Sequence, residues 1–300
     1  MSAQERFAAL AQQKLVTVGS GSSADRGLIR SVREVLDHRE MLSLLVRRDL
    51  KSRYKDSALG FVWTLVRPLT QLFIYYVVIG QFLGAERGIP QFAIYVYTGL
   101  TAYGLLSEIV GGSTASIVGN SGLIKKIYLP REVFPLASTG SALFNFAIQM
   151  VILLLATLAL GVFPISANLI YFIPSFLVLL VYGMAFGFLL AAVNVYLRDT
   201  QYLVEVLLML ALWASPVVYS WEMVRGILGN GLALAIYTNN PITLSVLGFQ
   251  KAFWISGAET AAYPDNLMLS LGVALVIGVG LMVIFHRVFT KLQGNFAQAL

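Results

Sequence analysis

The residues best able to meet a hydrophilic ligand stand one helical turn apart inside apolar runs. Thr64, Arg67, Gln71, Tyr75, Val78 and Phe82 recur at intervals of three or four, as do Tyr202, Glu205, Met209, Trp213, Pro216 and Tyr219. Each set therefore lies on one face of a helix. Aromatic rings interleaved with an amide, a carboxylate and hydroxyls form a wall that accepts the CH faces of sugar rings and hydrogen-bonds their hydroxyls. The expected channel residues are Gln71, Tyr75 and Phe82 from the first set and Tyr202, Glu205, Met209, Trp213 and Tyr219 from the second. Such residues also serve as interhelical contacts. A third stripe, Ser138, Ser141, Asn145 and Gln149, has the same spacing, so spacing alone does not identify a pore.

Catalytic chemistry finds little to build on. With no Cys and only His38 and His286, thiolate nucleophiles, disulfides and imidazole-rich metal cages are excluded, and no metal site is expected. No GxxxxGK[ST] run occurs, so a phosphate cradle must come from another chain if ATP is used. The only acidic residues within the apolar runs are Glu108 and Glu205, and an intramembrane carboxylate is a functional candidate by default. Glu108 is expected near the cytoplasmic end of its span and Glu205 about one turn into its own, so both can reach the inner interface. The chain is not expected to be an enzyme.

These stripes need helices in a bilayer to hold them. Of 300 residues, 58% are hydrophobic and 12% charged, with a mean hydropathy of +0.77. Soluble chains carry about 25% charged residues, so this composition describes an integral membrane protein. Against the roughly 20 residues needed to cross a bilayer, six apolar spans are expected, at 61–83, 92–110, 133–162, 169–196, 202–220 and 267–285. The expected fold is all-α with six transmembrane helices.

Residues 1–30 are expected to be a flexible cytoplasmic segment and 31–58 an amphipathic interfacial helix. Residues 59–300 are expected to form a six-span membrane domain with a short cytoplasmic C-terminus. In the second segment Val32, Val35, Leu36, Leu42, Val46, Leu50 and Tyr54 share one face, while Arg48, Lys51 and Lys55 share the other. The alternative is a helix packed on a partner domain. The N-terminal stretch has no apolar run of membrane length and is not read as a signal peptide.

Charge sets the orientation. With a cytoplasmic N-terminus, 17 of the 21 Lys and Arg residues fall inside, three (Arg87, Arg225, Lys251) outside, and Arg67 at the inner boundary. Both termini are thus expected in the cytoplasm, and the net charge of +6 reports sidedness rather than nucleic acid. Trp63 is expected at the inner interface, with Trp221 and Trp254 at the outer one. The external stretch 221–266 stays apolar, and its pieces 227–238 and 242–256, parted by Asn239, Asn240 and Pro241, are expected to form a re-entrant helical hairpin and exit gate. The alternative is two additional tilted spans.

The run from Arg48 to Trp63 (RDLKSRYKDSALGFVW), followed by Arg67-Pro68, resembles the entry to the first span in permease subunits of polysaccharide and O-antigen ABC exporters. The loop Asn120 to Pro130 (NSGLIKKIYLP), Ser215-Pro216 with Tyr219, and Asn240-Pro241 are similar to further motifs of that family. The resemblance covers about residues 40–290. It implies a bacterial inner-membrane half-transporter that pairs with itself and with two copies of a separate ATPase, which binds ATP and Mg. The cargo would be a lipid-linked polysaccharide of O-antigen, teichoic acid or galactan type. It further implies a cytoplasmic coupling helix over 119–128, with Asn120, Leu123, Ile124, Lys125 and Lys126 meeting the ATPase. Arg47, Arg48, Arg53 or Lys55 would meet lipid headgroups.

Two alternatives are weighed. A permease of the same architecture could export a drug or small lipid. A secondary transporter or membrane glycosyltransferase would need midplane carboxylates or an acidic metal cluster, which the sequence does not offer.

Overall fold

A computed structural model describes residues 39–54, 62–82, 84, 88–126, 129–257 and 261–300, whose regular elements are all helices with no strand among them. The expected segment 1–30, and residues 31–38 and 55–58 of the expected interfacial helix, lie outside the described residues. In chain order the helices are α1 (Arg39–Tyr54), α2 (Trp63–Ile74), α3 (Phe92–Gly119), α4 (Ser121–Ile124), α5 (Val133–Ala159) and α6 (Phe172–Tyr196). There follow α7 (Thr200–Trp213), α8 (Trp221–Leu228), α9 (Leu232–Thr238), α10 (Pro241–Phe253), α11 (Leu267–Leu292) and α12 (Phe296–Ala299). A π-helical stretch, Tyr75–Phe82, prolongs α2, and a 3-10 turn, Ala167–Tyr171, leads into α6.

Five of these elements are long and apolar enough to cross a membrane, or six if the bent pair α9 and α10 counts as one span. The expected span at 202–220 is not one helix. Ser215-Pro216 ends it, because a residue before Pro is steered out of the helical region and Pro has no N–H to donate. At 14 residues, α7 reaches about 21 Å and falls short of the hydrocarbon thickness. Conversely, α3 runs nine residues past the expected boundary. Its 28 residues reach about 42 Å, so Glu108 sits in the middle part of the helix rather than at its end.

Lipid tails are as apolar as leucine, so spanning helices associate through close packing and polar contacts. The fold shows this around α3, which packs on α5, α6, α7 and α10. Gly183 and Gly187 of α6 let the two backbones approach. A Cβ at Gly183 would lie 3.1 Å from Ile109, and one at Gly187 would lie 2.9 Å from Ser113. Gly248 of α10 takes Ser175 of α6 in the same way, and Gly278 of α11 takes the Tyr182 ring. Rings of Phe146, Phe172, Phe176, Phe249 and Phe253 pack together where α5, α6 and α10 meet. A second, smaller core joins Leu45, Ile117, Ile124, Phe134, Phe188, Phe289 and Phe296.

Helix α1 turns Met41, Leu42, Leu45 and Val46 inward and leaves Arg47, Arg48 and Lys51 exposed. The stripe packs on α5, with Val46 2.9 Å from the place of a Cβ on Gly140. Between α8 and α11, the break at Asn239 and Asn240 falls where expected, and α9 and α10 meet there at a bend of 67°. Asn240 starts α10: its Oδ1 accepts from Ile242 N at 3.1 Å, and Pro241 takes the first turn, where its missing N–H costs nothing. Asn239 closes α9 by donating to Ala235 O at 2.9 Å. Residues Thr243 to Gln250 of α10 are all buried in the bundle.

Candidate functional site

The two outer stripes do not share one surroundings. Gln71 of α2 lines a cavity of about 610 Å³, and Tyr97, Tyr103, Ser107 and Glu108 of α3 and Gln149 of α5 line it too. Asn145 Nδ2 donates to the Glu108 carboxylate at 2.6 Å, so the third stripe reaches this cavity through Gln149 and the Asn145–Glu108 contact, while Ser138 and Ser141 are buried. Tyr97, Tyr103 and Ser107 were missed in the sequence because α3 is polar and small on several faces at once. The four-residue step from Tyr103 to Ser107 is the signal that points to them.

Tyr75 and Trp213 are brought together, ring edge to ring face, with centroids 6.4 Å apart and planes at 73°. Tyr103 donates to the carbonyl of Leu208, tying α3 to α7. Phe82, Tyr202, Met209 and Trp213 are exposed, as are Leu203, Val206, Leu207 and Leu210 of α7. Glu205 is also exposed, and its carboxylate accepts from Gln201 Nε2 at 3.4 Å. The result is a helix of membrane composition whose face is largely exposed among the described residues, with Trp213 at its end resting against Tyr75. Arg67 lies within α2, but its side chain is outside the description.

Where α7 ends, irregular backbone needs partners, since no water is at hand in hydrocarbon. The Tyr95 hydroxyl lies 3.0 Å from Pro216 O and 2.8 Å from Tyr219 O, which share its one proton, while Gln250 Nε2 donates to Pro216 O at 2.8 Å. The Tyr219 hydroxyl donates to Trp213 O at 2.6 Å and accepts from Tyr237 at 3.3 Å. Gly99 packs on Val217, where a Cβ would lie 3.1 Å from backbone. The Ser-Pro break is therefore built into the protein and paired to α3 and α10.

At the opposite end, Asn120 closes α3. Its Nδ2 donates to Ser116 O at 2.7 Å and its Oδ1 accepts from Arg48 at 2.7 Å, which also pairs with Asp49 at 2.7 Å. One residue expected at lipid headgroups is thus joined to one expected at the ATPase. Of the segment 119–128 expected to be a coupling helix, only α4, four residues long, is a separate helix, and Ile127 and Tyr128 lie outside the described residues. Ile124 is buried in the smaller core, Leu123 is partly buried, and Lys125 and Lys126 are exposed. Arg47 is exposed, Arg53 belongs to α1 with its side chain undescribed, and Lys55 lies outside the described residues.

Trp63 is exposed at the start of α2, but Trp221 and Trp254 are buried in protein instead of facing headgroups. Each has its indole N–H engaged within the chain, which removes the reason to sit in the interface. No group of three or more His, Asp or Glu residues able to hold a metal occurs among the described residues.

Residues 40–254 match the family model described as ABC-2 type transporter. The chain belongs to that family. The ABC-2 match begins inside α1 and ends at Trp254, so it takes in the Arg48–Asn120 contact, the Ser-Pro break and α10. Among ABC-2 relatives, the chain is 31% identical over 273 residues to the O-antigen export system permease protein RfbA of Myxococcus xanthus, covering 91% of this chain and 100% of that protein. It is 25% identical over 262 residues to the protein of the same name in Klebsiella pneumoniae, covering 87% and 95%. It is 23% identical over 163 residues to the capsule polysaccharide export inner-membrane protein CtrC of Neisseria meningitidis serogroup B, covering 52% and 58%.

Proposed function

We propose that this chain is the membrane-spanning subunit of an ATP-driven exporter that moves a lipid-linked polysaccharide from the cytoplasm to the outer face of the inner membrane. The observation that carries this reading is the end-to-end similarity to a permease named for O-antigen export. Two copies pair through the exposed faces of α2 and α7, and the glycan passes between them along Gln71, Tyr75, Phe82, Tyr202, Glu205, Met209, Trp213 and Tyr219. The exposed apolar side chains of α7 support that arrangement, since such a surface needs a second copy, lipid or cargo against it.

Both termini lie in the cytoplasm by the distribution of Lys and Arg. Helix α1 lies at the inner leaflet beside the coupling segment, and Lys125 and Lys126 dock on one of two separate ATPase subunits, which bind ATP and Mg. Helices α8 to α10 form a re-entrant exit region whose Asn239, Asn240 and Pro241 hinge the gate. Depletion of this chain followed by extraction of cytoplasmic lipid-linked glycans tests the reading. Accumulation of one polymer is expected, and unchanged glycan pools would contradict it.

A further inference from the structure

The exit end holds a second cavity, of about 300 Å³, that the channel reading does not use. Trp221, Trp254 and Tyr263 wall it, and Ser220, Glu222 and Gln250 bring polar groups to it. The indoles are fixed in place: Trp221 Nε1 donates to Thr238 Oγ1 at 2.8 Å and Trp254 Nε1 to Pro90 O at 2.6 Å. Tyr95 meets Trp254 edge-on at 4.8 Å, and Gly257 packs against its ring. With their N–H groups already paired and their rotamers held, these rings bind through apolar surface at little ordering cost.

The polar groups are not all used. The Tyr263 hydroxyl is buried with no partner among the described residues, and burial pushes the phenol upward, so it stays a protonated donor at neutral pH. Glu222 is exposed at the start of α8, and Ser220 accepts from Met223 N while its own proton is left to give. A pocket of this size is at the small end for a ligand site, about 300–1,000 Å³. It suits one six-membered ring rather than an acyl chain.

Aromatic walls also attract quaternary ammonium groups, but two of these rings already have cations near them. Arg225 lies 5.7 Å from the Trp221 ring centre and Lys251 lies 5.3 Å from that of Tyr263. Those ring faces are thus already engaged by cations, whereas a neutral ring with CH faces and hydroxyls can meet the apolar walls and polar groups that remain. From this geometry we infer that the cavity binds a single neutral pyranose unit of a glycan at the exit of the permease. The inference rests on the glycan-export reading and adds to it a place where the emerging chain is held.

The test uses the full-length chain in nanodiscs, with Trp63 and Trp213 replaced by Phe so that the two pocket indoles report. Tryptophan fluorescence is titrated with the methyl pyranosides of glucose, galactose and N-acetylglucosamine, and separately with tetramethylammonium. A saturable change with at least one pyranoside is expected, weakened tenfold or more in both Glu222→Gln and Ala262→Leu, each checked for unchanged melting. No saturable change with any pyranoside, equal affinity in the two variants, or a response to tetramethylammonium alone would overturn the inference. Because binding is read without ATP or transport, a failed titration beside glycan accumulation on depletion removes the pocket and leaves the export reading standing.

Discussion

Helices α2 and α3 follow one another in the chain and both pass as membrane spans. Yet with its π-helical extension α2 has 6% of its apolar window buried in the chain, against 72% for α3. Hydropathy does not separate them; small and polar residues do. Helix α3 carries glycines, serines and threonines that admit α5, α6 and α10, whereas α2 presents Leu69, Phe73, Ile74, Val78 and Phe82 outward. Helix α7 behaves like α2. In a bilayer, apolarity keeps a helix in the membrane and close contact decides its neighbours, so one group of helices makes a scaffold and the other an exposed surface.

The sharpest way to break this contrast is to hollow out each part. Phe249→Ala removes a fully buried ring from the scaffold and should cost about 3–5 kcal/mol. Phe73→Ala, on the exposed side of α2, should stay within about 0.5 kcal/mol. Thermal unfolding in detergent, followed by size exclusion, reads both, and equal losses would erase the distinction.

Next in size is the coupling end. Reversing the exposed pair with Lys125→Glu and Lys126→Glu should leave melting unchanged while lowering glycan-stimulated ATP turnover in the reconstituted complex by on the order of tenfold, because like charges would then face a surface matched to cations. Unaltered turnover would remove the docking role. Asn145→Ala deletes the contact to Glu108 between two spans and should cost about 0.6–2 kcal/mol in the same melting assay. A small effect is expected for Arg48→Ala, under about 1 kcal/mol of stability, since its pairing with Asp49 and Asn120 is exposed. A loss as large as that of Phe249→Ala would move α1 into the scaffold.

Much of the architecture was legible in the sequence. The apolar runs beginning at Phe92, Val133 and Leu267 became helices starting at those residues, and Asn240-Pro241 opened a helix because Asn caps and Pro tolerates the first turn. The ends were harder. Gly111 and Gly112 dilute hydropathy, so α3 seemed to stop at Val110, although Gly112 is where Ser138 packs. The run at 202–220 read as one span because its residues are apolar, while Pro216 decides the backbone whatever its neighbours. The cavity beside Gln71 depends on which of several polar faces of α3 meets α2, and no periodicity encodes that. The pairing of Arg48 with Asn120 joins residues 72 positions apart and leaves no mark in either local pattern.

The chain lacks cysteine, so single cysteines can report on the exposed helices without background. The most direct test of a glycan path along α2 and α7 places Cys at Met209 and, as the scaffold control, at Leu179, in the assembled transporter in membranes. A membrane-impermeant, charged thiol reagent should label Met209→Cys and block export while leaving Leu179→Cys unlabelled. Labelling of Met209→Cys only by a lipid-soluble maleimide, with export unaffected, would mean that this face looks into lipid and that the cargo passes elsewhere.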